Sequence, residues 1–271
     1  MGQVLVVTSG KGGVGKTTST AALGAALAQG GQSVVLIDFD VGLRNLDLVM
    51  GAERRVVFDL INVIQDQAKV SQALIRDKRL ENLYLLPASQ TRDKDALTEK
   101  GVTKVMEELQ AKFDWVICDS PAGIGKGAVL AMQHADIAAI VTNPEISSVR
   151  DSDRIIGLLD SKTEKAKIGE HVEKHLLITR YDESRASSGD MLQTDDVLDI
   201  LSIPLLGIVP ESQEVLRASN LGSPVTLCSP HSLPALAYTD AARRLNGEVI
   251  EMTIPVERNR LFGRLFGRRA A

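Results

Sequence analysis

Residues 10–17 read Gly-Lys-Gly-Gly-Val-Gly-Lys-Thr, and this spacing limits the possible folds more than any other feature of the chain. It fits the pattern G-x-x-x-x-G-K-[ST], directly after an apolar run at 4–7 and ahead of a stretch at 16–29 with helical character. In that setting the pattern predicts a strand, a phosphate-binding loop and a helix. Glycines let successive backbone N–H groups turn inward around phosphate oxygens, and a helix beginning near Lys16 adds the positive end of its dipole. Gly10, Gly12, Gly13, Val14, Gly15, Lys16 and Thr17 are therefore expected to hold a nucleotide's phosphates. Lys16 should bridge the β- and γ-phosphates, and Thr17 should ligate Mg²⁺.

The rest of the chain supplies the scaffold that such a loop requires. Runs rich in Val, Ile and Leu recur at 4–7, 34–37, 83–86, 115–118, 137–141, 175–179 and 205–209, most too continuous for a strand with one wet face, so they read as buried parallel strands. Helix-like stretches at 16–29, 98–112, 146–160 and 234–246 alternate with them. Strand–helix alternation predicts a three-layer α/β sandwich with a mostly parallel central sheet. Loop signals fall at Gly30-Gly31, Pro87, Pro144, Ser187-Ser188-Gly189 and Gly222-Ser223-Pro224. With 271 residues, 44% of them hydrophobic and 24% charged, one large domain over 1–246 is expected, followed by a linker at 247–256 that carries Pro255 and a distinct tail at 257–271.

The two cysteines, Cys118 and Cys228, are far apart and outside any C-x-x-C spacing, so neither a disulfide framework nor a zinc site has support. No basic leader precedes the first apolar run, and no window approaches 18 consecutive apolar residues, which points to a cytoplasmic protein without a membrane span.

Two acidic positions complete the phosphate chemistry. Residues 37–40 read Ile-Asp-Phe-Asp at the end of the second predicted strand, where Asp38 and Asp40 would face the phosphate loop across the strand ends. The run at 116–119 is an apolar strand ending in Asp119, whose carboxylate can hold magnesium through water. Phosphoryl transfer demands positioning and charge neutralisation more than covalent chemistry, so these groups suffice for hydrolysis. The pair His171 and His175 has metal-ligand spacing, but it lies where a hydrated loop should enter the strand 176–179. A glycine pattern at 123–128 falls after a late strand and adds little to a chain that already has a complete phosphate loop.

Lys11 is a second lysine inside the loop, at a position where ordinary phosphate loops need no charge. With it, the stretch 11–18, which extends the phosphate set to Lys11 and Thr18, resembles the deviant-Walker P-loop ATPases, the MinD/ParA family. The resemblance implies that Lys11 crosses a dimer interface to the partner's nucleotide. It also implies that Asp40 lies in a first switch and positions attacking water and Mg²⁺, with Asp38 in support, and that the nucleotide is ATP. Longer stretches at 40–47, 51–57, 86–97, 142–154, 175–181 and 210–220 resemble the MinD branch and spread the likeness over nearly the whole chain. That branch implies an ATP-dependent homodimer in division-site selection, recruiting the division inhibitor MinC to the inner membrane under control by MinE. Arg44, Asn45, Glu53 and Asp151 are the expected partner contacts. Gly125 and Lys126 depart from the pattern, because the branch usually places glutamate after the Gly-Ile pair, so no charge role transfers there.

The final segment is chemically unlike the body. Residues 257–271 carry a net +4 and the remainder −8. At about 100° per residue, Leu261, Phe262, Leu265 and Phe266 share one helical arc, with Arg260, Arg264 and Arg268 opposite. This predicts an interfacial helix that folds on anionic lipid, which would make the chain peripheral on the cytoplasmic face of the membrane when ATP is bound. The four apolar side chains contribute roughly 1.5–3 kcal/mol each if fully buried, against a folding cost of about 1 kcal/mol per residue. One tail is then a weak anchor and two linked tails a firm one. A ParA-like DNA-partitioning ATPase is the rival reading, but it would need a basic surface on the body, so DNA is not expected.

Overall fold

The computed structural model describes residues 1–90 and 96–252. Eight strands, β1 (Gln3–Thr8), β2 (Val34–Asp38), β3 (Ile75–Arg76), β4 (Leu83–Leu86), β5 (Trp115–Asp119), β6 (Ile137–Thr142), β7 (Glu173–Tyr181) and β8 (Leu205–Pro210), form one sheet in the order β3-β4-β2-β5-β1-β6-β7-β8. All pairings are parallel except β3 with β4. Every predicted run is a strand of this sheet. β3 has no counterpart in the sequence reading, because two residues are too few to show a period.

Alternation along β1 explains the three layers. Val4 and Val6 enter the core on one face, and Leu5 and Val7 that on the other, so a strand buried on both sides reads as a continuous apolar run. Helix Lys16–Gln29 is buried over most of its circumference, lying between the sheet and helix Leu233–Leu245, and this accounts for its Ala/Leu composition without an amphipathic stripe. Helix Glu99–Gln110 covers the opposite face. Thr98 caps it by accepting from Gly101 N, and it buries Val102, Val105, Met106 and Leu109 at helical spacing.

Two local expectations need correction. Residues Glu173–His175 are not a loop: they pair with Ile137–Ala139 of β6, and His175 Nε2 lies 2.7 Å from Glu173 Oε1. Pairing with a neighbouring strand overrides the polar composition there. Ser187 and Ser188 belong to the end of helix Glu183–Ser188, and only Gly189, at φ 81°, turns the chain. Of the expected linker, residues 248–251 lie against the last helix, where Arg243 pairs with Glu248 and Arg244 donates to the carbonyls of Leu206, Ile250 and Glu251.

Candidate functional site

The strand register assembles the site. Asp38 ends β2 and Asp119 ends β5, in direct register with each other, and Val7 of β1 lies opposite Asp119. The loop of residues 10–15 leaves β1 at this same edge. Gly13 (φ 76°) and Gly15 (φ 96°) adopt left-handed conformations that a side chain would strain. Gly15 precedes helix Lys16–Gln29, and no side chain caps that helix start, so its first N–H groups face the loop without an intrahelical partner.

Lys16 is 8% exposed. Its Nζ donates to Ser9 Oγ at 2.9 Å and reaches Lys11 O at 3.5 Å. Burial lowers its pKa, and the charges of Asp119 and Asp40 oppose that. Asp119 is 1% exposed and accepts from Thr20 Oγ1 at 3.1 Å. Burial pushes its carboxyl up to about 6, although hydrogen bonds from Thr17 and Thr20 and the charge of Lys16 favour ionisation. Asp38 is fully buried. Desolvation and the neighbouring Asp119 raise it well above the usual carboxylate range. Its oxygens accept from the backbone N–H groups of Asp40 at 2.8 Å and Leu46 at 3.2 Å, so Asp38 holds the chain on which Asp40 sits.

Two carboxyls buried in register beside one lysine form an arrangement that one further cation would complete. The Thr17 hydroxyl hydrogen-bonds to the buried Asp119 carboxyl, and this hydroxyl–carboxylate oxygen set fits Mg²⁺.

Lys11 points elsewhere. Its Nζ pairs with Glu145 Oε2 at 3.0 Å and Ser147 Oγ at 3.1 Å at the half-exposed start of helix Ile146–Lys162. Of the expected partner contacts, Asn45 and Glu53 are exposed. Arg44, at φ 48°, turns back to the buried Asp47 at 2.8 Å, and Asp151 packs its backbone against Gly10. Gly125 precedes helix Lys126–Met132, which Lys126 opens. The tail residues Leu261, Phe262, Arg264, Leu265, Phe266 and Arg268 lie outside the described residues, as do residues 91–95 of the stretch 86–97.

The structure adds groups to which the sequence reading assigned no role. Ser9 receives Lys16, Thr20 holds Asp119, and Glu145 receives Lys11. A cavity of about 260 Å³ flanks the loop, bounded by Val14, Gly15 and Thr18 on one side and by Thr179, Arg180 and the end of β8 on the other. Thr179 Oγ1 donates to Val14 O at 2.7 Å and fixes that wall to the loop. The stretches 175–181 and 210–220 carry these walls, but their composition has no phosphate-type signature.

Residues 5–225 match the family described as CobQ/CobB/MinD/ParA nucleotide binding domain. The septum site-determining protein MinD of Neisseria meningitidis serogroup B is 58% identical over 271 residues, spanning 98% of this chain and 100% of the relative. Among solved structures, the MinC:MinD cell division protein complex of Aquifex aeolicus superposes with TM-score 0.81 at 40% identity, covering 93% of this chain and 99% of that one. The septum site-determining protein MinD complexed with Mg-ADP from Pyrococcus horikoshii gives 0.80 at 30% identity, covering 91% and 96%. A complete phosphate loop on this sheet, and near full-length likeness at that identity, place the chain in the MinD/ParA family of nucleotide-binding ATPases, in its septum-site-determining cell-division branch.

Proposed function

We propose that the chain is an ATP-driven switch that dimerises, hydrolyses ATP to ADP and phosphate, and binds the inner membrane reversibly while it holds ATP. The observation that carries this reading is the division of labour between two lysines of one loop. Lys16 is buried and donates to Ser9, whereas Lys11 stands on the outer rim, where a second protomer's nucleotide could be reached.

In this reading the backbone N–H groups of residues 12–18 and the Lys16 ammonium bind the phosphates, and the 260 Å³ cavity takes the nucleoside. Thr17, and Asp119 through water, would hold Mg²⁺, which would supply positive charge against the phosphates. Asp40 orients the attacking water, and Asp38 positions Asp40 through its N–H. The developing negative charge meets groups already in place, so little reorganisation is needed.

The output follows from geometry and avidity. A dimer formed around ATP presents two amphipathic tails, and hydrolysis returns each protomer to one weak anchor. The likeness to a MinD solved with MinC supports MinC as the cargo brought to the membrane. MinE as the regulator that discharges it rests on the branch alone. Arg44, Asn45, Glu53 and Asp151 are the proposed contacts.

Sedimentation with anionic liposomes in ATP, in ADP and without nucleotide tests the reading. Pelleting should require ATP. Equal pelleting in all three conditions would remove the switch.

A further inference from the structure

We infer that Arg79 is a positioning residue that joins the nucleoside side of the site to the segment following Asp38 and Asp40. The inference deepens the nucleotide-site reading above and rests on it.

Arg79 sits between β3 and β4, outside the phosphate loop. Its Nε and Nη2 pair with the two oxygens of the buried Asp77 at 3.1 and 2.6 Å. Asp77 Oδ1 also accepts from the backbone N–H groups of Arg79 and Leu80, so the guanidinium is held in one orientation. From there Nη2 donates to Met50 O at 3.0 Å and Nη1 to Gly222 O at 3.1 Å. These two carbonyls belong to segments far apart in sequence. Met50 ends helix Leu46–Val49, and Gly222 lies just beyond helix Gln213–Asn220.

The segments also touch backbone to backbone. Gly51 and Gly222 have φ of 63° and 61°. A Cβ on Gly51 would fall 2.6 Å from Gly222 O, and one on Gly222 would fall 2.8 Å from Gly51 Cα. The junction therefore leaves no slack for side chains at the point of contact.

Each side leads to a different part of the site. Val215, Leu216 and Ser219 of helix Gln213–Asn220 line the nucleoside cavity opposite Val14, Gly15 and Thr18. On the other side Leu46 N donates to Asp38, which also holds the N–H of Asp40. Occupation of the cavity would thus set the position of the acidic pair through Arg79. The guanidinium spreads its donors over three nitrogens in one rigid plane, so it reaches both carboxylate oxygens and two separate carbonyls at once, whereas lysine carries all its donors on one nitrogen.

Amide hydrogen exchange on the full chain tests this, with no ligand, with Mg-ADP and with inorganic pyrophosphate, for the unmodified chain and for Arg79→Lys and Arg79→Ala. Pyrophosphate can occupy the loop but leaves the cavity open. In the unmodified chain Mg-ADP should slow exchange at residues 46–52 by at least about tenfold and pyrophosphate by less than about threefold. In Arg79→Lys the effect of Mg-ADP on 46–52 should fall below about threefold while residues 12–18 stay protected. Steady-state kcat of that variant should drop about tenfold with KM within about threefold.

Equal protection of 46–52 by Mg-ADP in the unmodified and Arg79→Lys chains overturns the inference, and so does equal protection by Mg-ADP and pyrophosphate. Loosening spread over β1 and β5 in Arg79→Lys also overturns it, marking a merely structural arginine. Should Arg79→Ala fail to fold, Arg79→Lys alone decides. If Mg-ADP does not protect residues 12–18 in the unmodified chain, the nucleotide-site reading fails. The clamp must then still show itself without ligand, as faster exchange confined to 46–52 in Arg79→Lys, and its absence overturns the clamp as well.

Discussion

Lys16 and Asp119 are charges that burial opposes and that their mutual proximity makes tolerable. Lys16→Ala removes the ammonium from the loop, and a charged hydrogen bond is worth about 1.5–3 kcal/mol, so ATP affinity measured by calorimetry should fall by about 10–100-fold. Unchanged affinity would remove Lys16 from the site. Asp119 gives a pH signature. Burial pushes its carboxyl up to about 6 from the ordinary 3.8, so between those pH values the folded state keeps a proton that the unfolded state has lost. The contribution of Asp119 to stability without ligand is therefore most favourable below the lower value and declines as pH rises to about 6. Asp119→Asn abolishes that penalty and should raise stability of the nucleotide-free chain at pH 7 by about 1–3 kcal/mol, with no gain near pH 3. It should also lose the stabilisation that Mg²⁺ and nucleotide confer. Denaturant unfolding at both pH values checks this, and a variant less stable at pH 7 would contradict it. The loop glycines and both lysines were legible in sequence because they form one contiguous motif. The upward push of Asp119 on the Asp38 carboxyl was not, since it depends on strand register.

Helix Ile146–Lys162 meets the phosphate loop at two points. A Cβ on Gly10 would lie 2.2 Å from Asp151 O, a main-chain contact that cannot yield without moving the helix or the loop. Gly10→Ala should therefore cost about 1–3 kcal/mol in chemical unfolding, in the range of overpacked sites, and weaken nucleotide binding as well. Wild-type stability would mean that the loop stands off the helix. The second contact is Lys11 with Glu145, a half-exposed pair of the kind that contributes little to stability, so the lysine can leave it for another partner at small cost. Lys11→Ala should accordingly keep first capture of ATP and lose the ATP-dependent dimer by light scattering. A full-strength dimer would refute the interface role. Sequence singled out Lys11 by its place in the loop, but its partner in this chain is more than 130 positions away and no local pattern indicates it.

For the molecule as a whole, the proposed switch joins a nucleotide site within the described residues to a tail outside them. Replacing Phe262 and Phe266 by Glu removes two rings that should enter the lipid interface and adds charge that anionic lipid repels. The Phe262→Glu/Phe266→Glu chain should lose ATP-dependent liposome binding entirely and keep ATP affinity. Sedimentation that persists would refute the tail as anchor, and simultaneous loss of ATP affinity would show instead that the tail packs on the body.

The fold class and all the strands but β3 could be read from the chain because each is written in neighbouring residues, as continuous apolar runs for strands buried on both faces. The phosphate loop and the three aspartates were legible as candidates for the same reason, from glycines where amides must turn inward and acidic residues at or beside strand ends. Other features came only with the folded chain. These are the register that sets Asp38 beside Asp119, the cavity between the loop and the ends of β7 and β8, the Glu145 partner of Lys11, and the junction at which Arg79 spans Met50 and Gly222. Each rests on contacts between segments far apart along the chain, and such contacts exist only once the sheet order has brought those segments together.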